Sequence, residues 1–214
     1  MPRLLDIGLK HLTNLVMDMA NLSSKTVATA IESYKQGKKV PDEIFAQSEE
    51  LRMLQDEVSE LAVELIARYQ PVASDLRYIK SCMEIAYGFS RFGRYSYDIV
   101  EAVRMFGDAT QCDIETNKEI ERMSKAVMEM IDVGIKSFLN RDATKADILE
   151  KMDDEVDEMY LHHVKRVLES PERSLSCNVS ATLIMRYLER IADHANYIGE
   201  SAVYIVKGER RPRR

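Results

Sequence analysis

Residues that form turns are scarce in this sequence. The 214 residues include 8 glycines and 5 prolines, which is about 6 % of the chain, whereas ordinary proteins carry roughly 12 %. Tight turns depend on the backbone angles that glycine and proline favour, so the chain has few connections. A β-sandwich, a β-barrel or a doubly wound sheet would need many more turns. The composition predicts an all-α protein with few, long helices.

Apolar residues recur every three or four positions, and no segment alternates between apolar and polar residues. In the first segment, Leu5, Leu9, Leu12 and Val16 fall on one helical face. A repeat close to 3.6 residues predicts an amphipathic helix, whereas a repeat of two would predict a strand. The pattern predicts six helices, over residues 4–34, 42–69, 72–106, 112–139, 144–168 and 174–207.

The two halves of the chain resemble each other. The tripeptide Asp-Glu-Val occurs at residues 56–58 and again at 154–156, 98 residues later, and residues 30–34 are similar to residues 134–138. A repeat of about 100 residues is too long for a solenoid, whose units are roughly 20–50 residues long. The repeat fits a duplicated unit of three helices.

Short connections make consecutive helices antiparallel. The sequence therefore predicts two tandem antiparallel three-helix bundles, over residues 1–107 and 112–208, joined just after Gly107. Residues 209–214 form a basic tail with four arginines. We expect this tail to be a frayed, solvated terminus, because chain ends are usually loose. Contact with an anionic membrane or with a partner's acidic patch is the alternative.

Charge, hydropathy and cysteines restrict the class of protein. The net charge of −6 opposes binding to nucleic acid. No apolar run is long enough to span a bilayer and no signal-peptide core is present, so we expect a cytoplasmic protein. The three cysteines, Cys82, Cys112 and Cys177, are odd in number, far apart and without a CxxC pair. They predict buried free thiols rather than disulfides or a zinc site.

Four carboxylates form two pairs on the predicted helices. Glu189 and Asp193 lie one turn apart on the sixth helix, and Asp153 and Asp157 have the same spacing on the fifth. Like charges at this spacing repel each other by roughly 0.2–0.5 kcal/mol per pair. If the two helices pack antiparallel, the pairs face each other and could share a divalent cation, because hard cations prefer carboxylate oxygens.

A solvated face is the alternative interpretation of these carboxylates. Arg186 and Arg190 each precede an acidic residue of the sixth helix by three positions. They could therefore form the weak intrahelical ion pairs that are common on protein surfaces. Spacing alone leaves both interpretations open.

The usual catalytic motifs are missing. The sequence has no glycine-rich phosphate loop and no GxSxG, HExxH or CxxC motif, so we expect neither enzyme activity nor an organic cofactor. His163 lies on the apolar stripe of the fifth helix, which predicts a partly buried, hydrogen-bonded histidine rather than a metal ligand. Asp75 falls in the first turn of the third helix, where a carboxylate stabilises the helix N-terminus.

Three motifs together resemble the signatures of the PhoU family of phosphate-uptake regulators. The first, at residues 70–77, is QPVASDLR, and the second, at residues 153–157, is DDEVD. The third, at residues 189–194, is ERIADH, followed by Glu200 and by VKG at residues 206–208. The resemblance spans nearly the whole chain and keeps the order of the family's motifs.

The resemblance implies a pair of three-helix bundles, often dimeric, with no known catalytic role. Family members are negative regulators of phosphate uptake that link the ATPase of a phosphate-importing ABC transporter to a sensor histidine kinase. Some bind metal, including iron clusters, through paired acidic motifs. By this resemblance the metal ligands here would be Glu189 and Asp193, with Asp153 and Asp157 behind them.

The sequence departs from the family pattern at three positions. Ser90 and Arg94 stand where the first repeat of the family has Glu and Asp, so at most one of two metal sites remains. We hypothesise that Arg94 supplies the positive charge that a metal supplies elsewhere. Asn196 comes one residue earlier than the family's asparagine, which is a rotation of about 100° around the helix, so we expect its side chain to point elsewhere.

Three functions are compatible with the sequence. The leading one is a noncatalytic, homodimeric regulator of phosphate uptake that docks to a transporter ATPase, a sensor histidine kinase or both. It would reach the membrane only through these partners. The alternatives are a metalloenzyme that uses the four carboxylates, and a regulatory domain associated with a cation channel or another transporter.

Overall fold

The computed structural model describes residues 3–36, 41–107, 112–169 and 174–209, which form six α-helices and no strand. All six predicted helices are confirmed, each with both ends within two residues of the predicted ones. In the described residues, no helix has both the length and the apolar run needed to cross a membrane. The helices are α1 (Leu4–Gln36), α2 (Pro41–Tyr69), α3 (Ala73–Phe106), α4 (Ile114–Asn140), α5 (Lys145–Glu169) and α6 (Leu175–Lys207).

Local sequence explains where several helices begin and end. α2 begins at Pro41, whose fixed φ suits the first helical position. Asp113 caps α4 by accepting a hydrogen bond from the backbone amide of Thr116 at 3.0 Å, as N-cap residues commonly do. α3 ends at Phe106 and is capped by Gly107, whose φ of 99° favours glycine. The rest of the predicted join, residues 108–111, and the tail from residue 210 lie outside the described residues.

The helices pack as two groups of three. α1, α2 and α3 contact one another, and so do α4, α5 and α6. α5 and α6 run antiparallel: Leu149 near the start of α5 packs against Gly199 near the end of α6. At the other end, His163 of α5 bonds to Thr182 of α6. The predicted all-α fold of tandem three-helix bundles is confirmed.

α3 and α6 join the two bundles. They too run antiparallel, since Ser81 donates a hydrogen bond to the carbonyl of Ser201, and Ser180 donates one to the carbonyl of Gly107. Buried apolar side chains from all six helices form one continuous cluster through this contact. The two bundles therefore share a single core.

One prediction about the cysteines is wrong. Cys112 and Cys177 form a disulfide, with Cα atoms 5.6 Å apart. The prediction relied on their separation of 65 residues along the chain. However, α4 and α5 are antiparallel, so the end of α5 lies beside the start of α4. The start of α6, which carries Cys177, therefore lies close to Cys112. Cys82 is a buried free thiol, as predicted, and burial raises its pKa to about 12.

Candidate functional site

Four carboxylates come together where α5 packs against α6. We call them the acidic seam: Asp153 and Asp157 on α5, and Glu189 and Asp193 on α6. Their charges act across the interface, because Asp193 raises the pKa of Asp153 and Asp157 raises the pKa of Glu189. The structure thus brings the two pairs together. That they hold a metal stays a prediction.

Much of the acidic seam is removed from solvent. Glu189 is only 8 % exposed, Asp153 and Asp193 are partly buried, and Asp157 is exposed. Burial is the main cause that raises the pKa of each of these two carboxyls to about 7, and the neighbouring carboxylates add to it. Burial also raises the pKa values of Asp157 and Asp193. At neutral pH the seam therefore carries less negative charge than four carboxylates would carry in water.

Two arginines of α6 pair with the seam. Arg186 donates to Oε1 of Glu189 at 2.6 Å, and Arg190 donates to Oδ2 of Asp193 at 3.3 Å. These are the intrahelical pairs of the alternative interpretation. The burial of Glu189 nevertheless distinguishes the seam from an ordinary solvated face, where ion pairs contribute little to stability.

Two oxygen atoms of the seam lack hydrogen-bond partners. They are Oδ1 of Asp153 and Oε2 of Glu189, and both are buried. Oε2 of Glu189 has only a long ion-pair contact, with Nε of Arg190 at 3.8 Å. An unsatisfied buried polar group costs roughly 1–3 kcal/mol, and more when it is charged. Carboxylate oxygens are the ligands that hard cations prefer, so the chemistry of the donor set fits a hard metal ion. Among the described residues no group of three or more His, Cys, Asp or Glu is already arranged to hold one.

The expected orientation of Asn196 is wrong. Its Nδ2 donates to Oδ2 of Asp153 at 2.9 Å, so the side chain faces α5 and contacts the seam. Asn196 faces the seam because it follows Asp193 by three residues, and residues three apart share a helix face. The spacing from Asp193 could have predicted this orientation. The wrong expectation came from the offset of one residue relative to the family's asparagine.

The first bundle has no equivalent of the seam. The repeat puts Gln55 and Ser59 of α2, and Ser90 and Arg94 of α3, in place of the four carboxylates. Arg94 forms an ion pair at 3.1 Å with Asp98, one turn along its own helix. The acidic seam is therefore confined to the second bundle.

His163 is hydrogen-bonded, as its position predicts, and is more deeply buried than expected. It is 1 % exposed, and its ring nitrogens lie 3.1 Å from Oε2 of Glu119 and 3.2 Å from Oγ1 of Thr182. Burial lowers its pKa. Asp75 lies in the first turn of α3, as predicted, and pairs with Arg3 at 3.3 Å.

The family assignment follows from the PhoU domain model, which matches residues 16–103 and 120–202, most of both bundles. The chain belongs to the PhoU family. It is 30 % identical over 210 residues to the phosphate-specific transport system accessory protein PhoU homolog 1 of Methanothermobacter thermautotrophicus, and the match covers 94 % of each chain. A PhoU homolog 1 from Thermotoga maritima is also 30 % identical, over 94 % of this chain and 89 % of the relative.

Solved PhoU structures have the same fold. PhoU from Pseudomonas aeruginosa superposes with a TM-score of 0.86 at 23 % identity, over 95 % of this chain and 99 % of that one. The phosphate transport system regulatory protein PhoU from Streptococcus pneumoniae superposes with a TM-score of 0.88 at 23 % identity, over 97 % and 99 % of the two chains. The resemblance indicated by the sequence motifs is confirmed.

Proposed function

We propose that this protein is a noncatalytic, negative regulator of phosphate uptake. The match of the PhoU domain to both bundles carries the proposal, and the relatives' names, which describe accessory proteins of phosphate-specific transport, support it. The protein docks through its exposed helical faces to the ATPase of a phosphate ABC transporter, to a sensor histidine kinase, or to both. It acts in the cytoplasm as a homodimer, meets the membrane only through these partners and binds no nucleic acid.

Phosphate uptake by whole cells tests the regulatory role. Deletion of the gene from its host should raise the uptake of radiolabelled phosphate in phosphate-rich medium, because the restraint on import is lost. Expression of the wild-type chain from a plasmid should restore low uptake. Equal uptake with and without the gene would contradict a negative role.

Reconstitution with purified components tests the partners. The full chain should co-elute in gel filtration with the host's phosphate-transporter ATPase or with the cytoplasmic part of the host's sensor kinase. The cytoplasmic domain of a cation channel from the same host serves as the comparison. Binding to the channel domain alone would favour the alternative function, in which the protein regulates cation transport.

The acidic seam supports a second part of the proposal, namely that each chain binds one divalent cation or iron centre. Asp153 and Asp157 from α5 and Glu189 and Asp193 from α6 would supply carboxylate oxygens. A bound cation would neutralise their charge and link the two helices. Oδ1 of Asp153 and Oε2 of Glu189, which accept no hydrogen bond, support this binding, and the lack of these carboxylates in the first bundle supports a single centre.

Metal analysis of the purified protein tests this second part. The wild-type chain should retain metal, whereas the double variant Glu189→Ala/Asp193→Ala should lose nearly all of it. The control, Glu60→Ala/Glu64→Ala, removes an exposed acidic pair with the same spacing on α2 and should retain metal. If all three proteins hold equally little metal, the seam is only an ion-pair network.

A metalloenzyme has less support. A catalytic metal needs an open coordination position that faces a cleft. A cavity of about 580 Å³ lies between α3 and α6, beside Arg190 and His194, but none of the four seam carboxylates lines it. A metal ion in the seam would therefore not face this cavity.

The hypothesis that Arg94 replaces the charge of a metal has a separate test. The Arg94 side chain is 56 % exposed and pairs with Asp98, so Arg94→Ala should cost less than about 1 kcal/mol of stability. Its main effect should be weaker binding of the transporter ATPase or the kinase in gel filtration. Unchanged stability together with unchanged partner binding would contradict the hypothesis.

A further inference from the structure

The amide side chain of Asn196 connects α6 to the acidic seam across the helix interface. Its Nδ2 donates a hydrogen bond to Oδ2 of Asp153 on α5 at 2.9 Å. Asn196 is partly buried and lies three residues after Asp193, on the same face of α6. A neutral residue therefore makes a direct contact between the two helices that carry the four carboxylates.

This hydrogen bond restricts the orientation of Asp153. A carboxylate rotates readily about its Cβ–Cγ bond unless one of its oxygens is held. With Oδ2 held by Asn196, the other oxygen, Oδ1, stays buried without a hydrogen-bond partner. As an ionised carboxylate oxygen it keeps its capacity as an acceptor or a metal ligand. Asp153 is thus fixed through one oxygen and available through the other.

We propose that Asn196 is a positioning residue, which holds the Asp153 carboxylate so that Oδ1 is presented to a divalent cation in the acidic seam. The inference rests on the proposed metal binding by the seam. Hydrogen bonds to the ligands of a metal fix their orientation, and the loss of such a bond typically lowers metal affinity 10- to 100-fold. As a neutral donor, Asn196 orients the carboxylate without repelling the cation.

Asn196 and the two arginines then act differently when the cation binds. Arg186 and Arg190 pair with oxygens of Glu189 and Asp193. These guanidinium groups place positive charge beside the carboxylates that a cation would use. The bond from Asn196 occupies an oxygen that the cation does not need, so this bond is kept in both the free and the bound protein.

Calorimetric titration of the chelator-treated full chain with Mn²⁺ tests the inference. Asn196→Leu keeps the approximate size of the side chain but removes the amide, and it should weaken Mn²⁺ binding by about 10- to 100-fold. The control, Asn178→Leu, lies on the same helix roughly 27 Å away and should bind like the wild type. The metal-free Asn196→Leu protein should unfold at a lower midpoint than the wild type, because the partly buried Asp153 loses its hydrogen bond. Each protein is therefore compared with its own metal-free midpoint, and the rise on addition of Mn²⁺ should be smaller for Asn196→Leu.

A second variant distinguishes positioning from direct ligation. Asn196→Asp keeps an oxygen but cannot donate a hydrogen bond, so it should also weaken Mn²⁺ binding. Tighter binding by Asn196→Asp would show that charge at this position matters more than the hydrogen bond, and it would overturn the proposal. Equal affinities of wild type and Asn196→Leu would overturn it too, with metal binding intact. If the wild-type chain takes up no Mn²⁺, metal binding by the seam and the role of Asn196 fail together.

Discussion

At the scale of single residues, the acidic seam opposes folding of the metal-free protein. Burial and neighbouring carboxylates raise the pKa values of Asp153 and Glu189 to about 7, whereas both groups titrate near pH 4 in an unfolded chain. Between these values the folded protein binds protons that the unfolded chain has released. Stability therefore falls as the pH rises from about 4 to 7. A bound cation would reverse this effect, because it favours the ionised carboxylates.

Asp153→Asn should make the metal-free protein more stable at pH 8 by roughly 1–3 kcal/mol and have little effect at pH 4. The asparagine carries no charge to bury, and its oxygen can still accept the bond from Asn196. Urea unfolding in the presence of EDTA at the two pH values measures the difference. The exposed Asp18 provides the control, since Asp18→Asn should show no such dependence on pH. A gain that is equal at both pH values would contradict the assigned cause.

The adjacent histidines of α5 should respond very differently to substitution. His163→Ala should cost about 2–4 kcal/mol, because it leaves a cavity and removes the partner of Glu119 and Thr182. His162, whose side chain is 71 % exposed, should tolerate alanine within about 0.5 kcal/mol. Chemical denaturation of both variants gives the comparison. Similar losses at the two positions would contradict the described burial.

At the scale of helices, the sequence was sufficient to predict the helix bounds, because the apolar repeat and the turn residues indicate the same positions. The apolar repeat ends where a turn residue stands, as at Pro41 and Gly107, so the predicted bounds are close to the observed ones. The disulfide was missed for the opposite reason. The pairing of Cys112 with Cys177 depends on how α4, α5 and α6 fold back on one another, and no local pattern reports that path.

The candidate site could be predicted only in part, because local spacing is readable from the sequence and packing between helices is not. Helical spacing identified the four carboxylates and their arginine partners, because residues three and four apart share a face. Spacing does not report burial, so only the structure shows the raised pKa values of Asp153 and Glu189 and their oxygens without hydrogen bonds. The contact of Asn196 with Asp153 depends on the distance between α5 and α6, which is set by packing around Gly199.

The disulfide should stabilise the connection between α4 and α6. Opening it, with a phosphine reductant or in Cys112→Ser/Cys177→Ser, should lower the free energy of unfolding by about 2–4 kcal/mol, chiefly because the unfolded chain gains freedom. Urea unfolding with and without reductant measures this change. The double variant should not respond to reductant. A wild-type protein that is equally insensitive would show that the bond contributes nothing to stability.

At the scale of the whole molecule, the continuous core should make the two bundles unfold together. Helical content and the tyrosine signal should change in one superimposable transition in urea. Phe89→Ala on α3, which empties a fully buried site, should shift that whole transition by roughly 3–5 kcal/mol. Phe45→Ala on α2, where the ring is 49 % exposed, should cost much less. Two separate transitions would contradict a shared core.

The antiparallel contact of α3 and α6 has a consequence for recognition. Arg91 and Arg190 hold equivalent places in the two repeats, and so do Tyr95 and His194, whose rings meet across the contact at 5.9 Å. The repeats are therefore related by an approximate twofold rotation, like the protomers of a symmetric dimer. A partner with twofold symmetry could receive such a chain in either of two orientations. Since only one repeat carries the acidic seam, the position of the seam distinguishes the two orientations.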